Sequence, residues 1–304
     1  MENRNLLQHL IIALKGMAMG VAELVPGVSG GTIAFVAGIY EELIASINNV
    51  HPSLIGVWRK EGFKAFWQKL NGNFLIALFV GMLISIFSFS KLITWLLENK
   101  PIPLWSFFFG LVLASVVFVA KAIKKWGPVT ILLLVFGAIV AYFVTTLPPS
   151  QNSDSLPYLF FSGALAVCAM ILPGISGSFI LVLLGSYKTV LDAVDDKNFK
   201  ILITVTLGVI FGLLSFARLL KWMFDHYRSI TLAILTGFIL GSLNKIWPWK
   251  KVLETKQIGS KTITLDENIS PFLFEGDNQI IPAIIAAIVG FSLIFILEKT
   301  ASKK

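Results

Sequence analysis

Read along the chain, the apolar positions form long runs separated by short polar and Gly/Pro-rich breaks. Runs over 73–97, 103–121 and 128–147, then over 201–222, 230–246 and 280–297, are each long enough to cross a bilayer as a helix. Two other apolar stretches, 6–48 and 156–193, are interrupted in the middle by proline and glycine. No run of roughly ten alternating residues, the mark of a transmembrane β-strand, occurs. In the polar segment 247–279, Thr262 to Leu273 alternates weakly and predicts a small β-hairpin.

The interrupted stretches repeat one another. Gly16 to Tyr40 reads GMAMGVAELVPGVSGGTIAFVAGIY, and Gly163 to Tyr187 reads GALAVCAMILPGISGSFILVLLGSY. Pro26-Gly27-Val28-Ser29-Gly30 aligns with Pro173-Gly174-Ile175-Ser176-Gly177 without a gap. The likeness continues: Lys91–Trp95 parallels Arg218–Trp222, Phe109-Gly110 parallels Thr236-Gly237, and the run after Gly127-Pro128 parallels the run after Ile281-Pro282. Four ordered matches define a duplication: 1–150, with hairpin 6–48 and the first three spans, and 151–304, with hairpin 156–193 and the last three.

Proline removes a helical donor and glycine loosens the backbone, so each P-G-x-S-G breaks its helix. Either both arms of each hairpin cross the membrane, or they dip in and return. Broken backbone at membrane depth survives only where it is buried in protein or lines a wet cavity, which favours the re-entrant reading. In both cases each half holds an odd number of crossings, so the second half runs inverted. The expected fold is an all-α polytopic membrane protein of two inverted-topology repeats, each a re-entrant Pro-Gly hairpin plus three transmembrane helices.

Composition agrees. Of 304 residues 56% are hydrophobic and only 14% charged, with a mean hydropathy of +0.82; soluble domains carry about 25% charged residues. The net charge of +8 is read as span-flanking bases rather than as a nucleic-acid surface. Arg59, Lys60, Lys64, Lys69, Lys121, Lys124, Lys125, Lys221, Arg228, Lys299, Lys303 and Lys304 fall on one side of the alternating topology. Leu147 to Leu156, on the other side, has no Lys or Arg. The chain is therefore expected in a cytoplasmic (inner) membrane with both termini cytoplasmic and loop 247–279 outside. A single cysteine, Cys168, excludes an intramolecular disulfide. No cleavable leader is expected, because the first apolar stretch holds Lys15 and runs into the Gly/Pro motif.

Three groups could carry chemistry. Ser29, Gly30, Gly31, Thr32, Ser176, Gly177 and Ser178 put hydroxyls and approachable N–H groups at the starts of two helices, an arrangement that suits anions and above all phosphate. Close helix packing is the plainer role for such residues, but its recurrence at equivalent positions argues for a site. Lys91 and Arg218 are equivalent cations within apolar spans, expected to face a cavity or a ligand, or to snorkel. Glu23 lies three residues before Pro26 in an apolar arm, and its counterpart is Met170. It is expected to carry a proton, to cap helix donors, or to pair with Lys15 or Lys91. Glu41 and Glu42 are expected at the interface. His9, His51 and His226 make no metal cluster, no cofactor is implied, and G-V-S-G lacks the hydrolase elbow.

The runs Glu23–Thr32 (ELVPGVSGGT), Gly38–Ile44 (GIYEELI), Pro173–Ser178 (PGISGS) and Gly185–Tyr187 (GSY) resemble the bacterial polyprenyl-phosphate transporter family over almost the whole chain, loop 247–279 excepted. The resemblance implies a flippase, not an enzyme, that returns undecaprenyl phosphate to the cytoplasmic leaflet. Its partners would be that lipid and the bilayer, with a homo-oligomer left open. The residues alone reach only an anion transporter with broken helices. A small-anion channel or exchanger, and a scaffold that transports nothing, remain alternatives.

Overall fold

The computed structural model describes residues 4–150, 155–258 and 261–301; side chains are described outside 254–265 and 297–301. Lys303 and Lys304, counted above on the basic side, and residues 151–154 of the segment without bases lie outside the described residues.

The protein is almost entirely helical. The first half holds α1 (Leu6–Glu23), α2 (Gly30–Val36), α3 (Tyr40–Asn48), α4 (Ser53–Leu70), α5 (Gly72–Asn99), α6 (Pro101–Lys121) and α7 (Pro128–Thr146). The second holds α8 (Leu156–Ile171), α9 (Gly177–Leu183), α10 (Tyr187–Asp195), α11 (Phe199–Ser242) and α12 (Ile280–Ala301). Among the described residues five helices are long and apolar enough to cross a membrane, or up to seven if each bent pair is one span. The bent pairs are α2–α3, at 113°, and α9–α10, at 105°. Each lies in an expected hairpin, consistent with a re-entrant loop.

Helix α11, at 44 residues, covers two expected spans. Its backbone is non-helical at Tyr227 (φ −134°, ψ 45°). Lys100, which separates α5 from α6, has nearly the same dihedrals (φ −139°, ψ 51°). Lys100 and Tyr227 fall at matching positions of the expected repeat, and each marks a break in the helical backbone.

Packing is duplicated too. A Cβ on Gly81 of α5 would strike the Ala13 carbonyl of α1, and one on Gly208 of α11 would strike the Phe160 carbonyl of α8. Gly110 of α6 meets Ala287 of α12, while Gly237 of α11 meets Leu134 of α7. Small residues let helix backbones approach where lipid offers no hydrophobic drive for association. The central core joins Val25, Val28 and Ile33 of the first hairpin to Phe108 and Leu111 of α6 and to Leu232 and Ile239 of α11.

Two features depart from the sequence reading. The polar segment 48–72 carries a helix, α4, bent at Gly62 (φ 84°), which exposes Trp58 and Phe63 beside Arg59, Lys60 and Lys64. The β-hairpin pairs β1 (Lys250–Ile258) with β2 (Lys261–Asn268), so its first strand lies before Thr262. Pro271, which lacks an N–H for the ladder, opens a 3-10 turn instead.

Candidate functional site

The two Pro-Gly loops meet. Gly27 (φ +81°) and Gly174 (φ +95°) take left-handed turns that a side chain would strain, and these reverse the chain from α1 into α2 and from α8 into α9. Ser29 and Ser176 then cap the short helices. Ser29 Oγ accepts from Gly31 N at 3.1 Å, and Ser176 Oγ accepts from Phe179 N at 3.2 Å.

Across the junction, Ser29 Oγ donates to the Leu172 carbonyl at 3.2 Å, and Gly174 N donates to Thr32 Oγ1 at 3.0 Å. A Cβ on Gly31 would sit 2.7 Å from the Ile171 carbonyl. Ser29, Thr32 and Ser176 are buried. Ser178 joins through its hydroxyl, 3.3 Å from that of Ser176. The seven loop residues read from the sequence thus lie along one polar junction, six of them buried and Ser178 exposed at its edge.

The two helix starts are not equivalent. Glu23 Oε1 accepts from Gly30 N at 2.8 Å. The carboxylate therefore holds the first donor of α2, the capping role the sequence left open. Its counterpart Met170 offers no acceptor, and among the described residues no side chain takes the N–H of Gly177 or Ser178. A Cβ on Gly177 would meet the Ala166 carbonyl at 2.7 Å and Met170 Cβ at 3.2 Å. One helix start carries its own anion; the other presents open donors.

Lys91 and Arg218 stay outside this junction. Both are exposed on the sides of α5 and α11, and among the described residues neither makes a hydrogen bond or ion pair. Lys15 Nζ donates instead to the Ala37 carbonyl at the end of α2, at 2.6 Å. Glu42 accepts from both terminal guanidinium nitrogens of Arg4, at 2.6 and 2.7 Å, and Glu41 accepts from Arg228 at 2.7 Å. These acids tie the end of the first hairpin to the N-terminus and to the break in α11.

Lys245 was not singled out from the sequence. It follows α11 in a 3-10 turn, with its Cγ 3.0 Å from where a Cβ on Gly27 would stand. Its ammonium lies 5.0 Å from the ring centre of Phe179, in α9. One lysine thus touches both loops. No periodicity announces this, because only the fold brings the end of α11 to the loops.

A bundle of apolar helices around two sharply bent, hydrogen-bonded polar loops defines a multi-span membrane protein, and the names of its family and relatives indicate a transporter rather than an enzyme. A family model described as "VCA0040-like: Undecaprenyl phosphate translocase-like" matches residues 19–263, and the chain belongs to that family. It is 46% identical over 303 residues to the polyprenyl-phosphate transporter of Vibrio cholerae serotype O1, covering 98% of each chain. It is 36% identical over 253 residues to the polyprenyl-phosphate transporter of Staphylococcus aureus, covering 77% of this chain and 85% of that one. No solved structure matches.

Proposed function

We propose that this protein is a flippase that returns undecaprenyl phosphate from the outer to the cytoplasmic leaflet of a bacterial inner membrane. Transport of a polyprenyl phosphate is supported by the names of its relatives. The observation that carries the mechanism is the joined loop pair, Gly174 N to Thr32 Oγ1 at 3.0 Å. A bare phosphate in hydrocarbon would cost tens of kcal/mol on a Born estimate, and donors fixed at the junction replace its water. The prenyl tail stays in lipid beside the bundle.

In this reading Ser29, Gly30, Gly31, Thr32, Ser176, Gly177 and Ser178 form the central phosphate site. Within the loops, the open donors of Gly177 and Ser178 receive the phosphate, because Glu23 already occupies the start of α2. Arg218 and Lys91 guide the headgroup along the outer faces of α11 and α5. Inward movement of an anion works against a potential negative inside, at about 2.3 kcal/mol per charge per 100 mV. A co-transported proton offsets that cost, and Glu23 is its carrier. The duplicated packing supports two halves inverted about the junction, so that either leaflet reaches the same site.

Proteoliposomes holding the full chain and a fluorescent polyprenyl phosphate test the reading. Leaflet exchange at least tenfold above protein-free vesicles is expected. Exchange at the protein-free rate would overturn it, and exchange of chloride or inorganic phosphate alone would leave a small-anion channel.

A further inference from the structure

Lys245 and Lys250 stand together on the side of the bundle that carries the β-hairpin. Lys250 Nζ donates to the Lys245 carbonyl at 2.7 Å and lies 4.5 Å from the ring centre of Trp105. The Lys245 ammonium faces Phe179 and, among the described residues, makes no hydrogen bond and no ion pair. Asp266 of β2 is the carboxylate whose charge acts on both lysines. It forms no salt bridge with either among the described residues, and its buried Oδ1 has no hydrogen-bond partner. Among the described residues, two half-buried cations thus face the Asp266 carboxylate, which pairs with neither. Each ammonium lies against an aromatic ring, and partly buried charge without an ion-pair partner favours an anion.

We propose that Lys245 and Lys250 form an anion-receiving site at the hairpin-side mouth of the loop junction, which takes the phosphate monoester group of a prenyl phosphate before the Ser/Gly loops do. The proposal rests on the transport reading and deepens it. The aliphatic stem of Lys245 lies against Gly27 while its ammonium reaches α9, so a phosphate held there is one step from the open N–H groups of Gly177 and Ser178. Asp266 competes with the ligand for the same cations. The site therefore works against a standing repulsion, which lets the phosphate leave as well as arrive.

The test is equilibrium binding to the full chain in vesicles of uncharged phosphatidylcholine. Three probes are compared: a short-chain prenyl monophosphate, the prenyl alcohol with the same tail, and inorganic phosphate. Lys245→Gln should weaken the prenyl monophosphate about tenfold or more, the scale of one charged hydrogen bond, and leave the alcohol unchanged. Lys245→Arg should restore most of the affinity. Asp266→Asn should tighten binding several-fold, a gain that misfolding cannot imitate. Unchanged phosphate affinity in both Lys245→Gln and Asp266→Asn would overturn the site. If inorganic phosphate binds the wild type with the same Lys245 dependence while the prenyl phosphate does not bind, the lysine site stands for free phosphate and the lipid reading falls. If neither binds the wild type, both fall.

Discussion

The backbone N–H of Gly174 donates to Thr32 Oγ1 across 3.0 Å, joining residues far apart in the chain. Both groups are buried, so neither has water as a substitute. Thr32→Val keeps the shape of the side chain and removes the acceptor. It should destabilise the protein by about 1–3 kcal/mol, the cost of one buried unsatisfied donor, and slow lipid exchange. Thr32→Ser should retain both properties. Detergent-solubilised melting and the exchange assay read the two effects, and a Thr32→Val protein that melts and transports like wild type would show that the bond contributes nothing.

Gly81 and Gly208 predict matching losses. Each sits where a Cβ would strike a backbone carbonyl, of Ala13 and Phe160 respectively. Backbone cannot swing aside, so Gly81→Val and Gly208→Val should each lower stability by about 1–3 kcal/mol or more. Gly127, which has open space around it, should accept alanine with little change. Equal melting of all three variants would contradict the duplicated packing.

Much of this was legible in the sequence because proline, glycine and apolar length act locally. The breaks at Pro26 and Pro173 and the loop hydroxyls follow from chemistry within a few residues, whereas the run of α11 across two expected spans does not. The meeting of the loops was legible only through the repeat, which put equal motifs at equal places. The sequence left three roles open for Glu23, and the fold selects the cap on Gly30. What sequence could not show depends on distant contacts, such as Lys245 between Gly27 and Phe179. Helix α4 escaped because its apolar positions are mixed with Arg59, Lys60 and Lys64 and interrupted at Gly62, so no long run stands out.

Arg218 should separate transport from folding. It is exposed, and among the described residues it makes no hydrogen bond or ion pair, so Arg218→Ala should leave stability within about 0.5 kcal/mol. Transport should nonetheless be abolished, because a guanidinium grips phosphate with paired donors. Lys91→Ala should cost less, since an ammonium binds as a point charge. Full exchange by a folded Arg218→Ala protein would remove that residue from the path.

Lys250 makes the receiving site pH-sensitive. Burial first, then the nearby Lys245 charge, hold it down to about 8, while Asp266 acts the other way. It therefore loses its proton as pH rises through about 8, whereas a prenyl monophosphate is already mostly dianionic above about 6. Affinity should fall between about pH 7 and 9, and Lys250→Met should flatten that fall. Stability moves in the opposite sense. Unfolded Lys250 keeps its proton to about 10.4, so between about 8 and 10.4 the unfolded state binds more protons and stability rises with pH. Wild-type affinity that stays level across this window would show that Lys250 takes no part.

Glu23→Gln distinguishes a cap from a proton carrier, because it changes one property and keeps the other. Glu23 Oε1 accepts from Gly30 N at 2.8 Å. A glutamine carbonyl oxygen can accept the same bond, so α2 keeps its first partner and the loop its shape. What disappears is the charge and the ability to take up a proton. If Glu23 only caps, the variant should transport as wild type does, with the same response to an imposed pH gradient. If it carries the proton, the wild type should run faster with protons driven in the direction of transport, and Glu23→Gln should lose that acceleration while remaining folded. Met170, in the equivalent place, cannot titrate, so a single acid serves each cycle and one proton per lipid is expected. Glu23→Ala adds a control, since it removes cap and proton together and should cost stability that Glu23→Gln does not, by about 0.5–2 kcal/mol. The deciding measurement is exchange rate against pH gradient in vesicles for wild type and Glu23→Gln side by side. Parallel gradient dependence in the two would exclude Glu23 as the carrier, and a wild type indifferent to the gradient would exclude proton coupling.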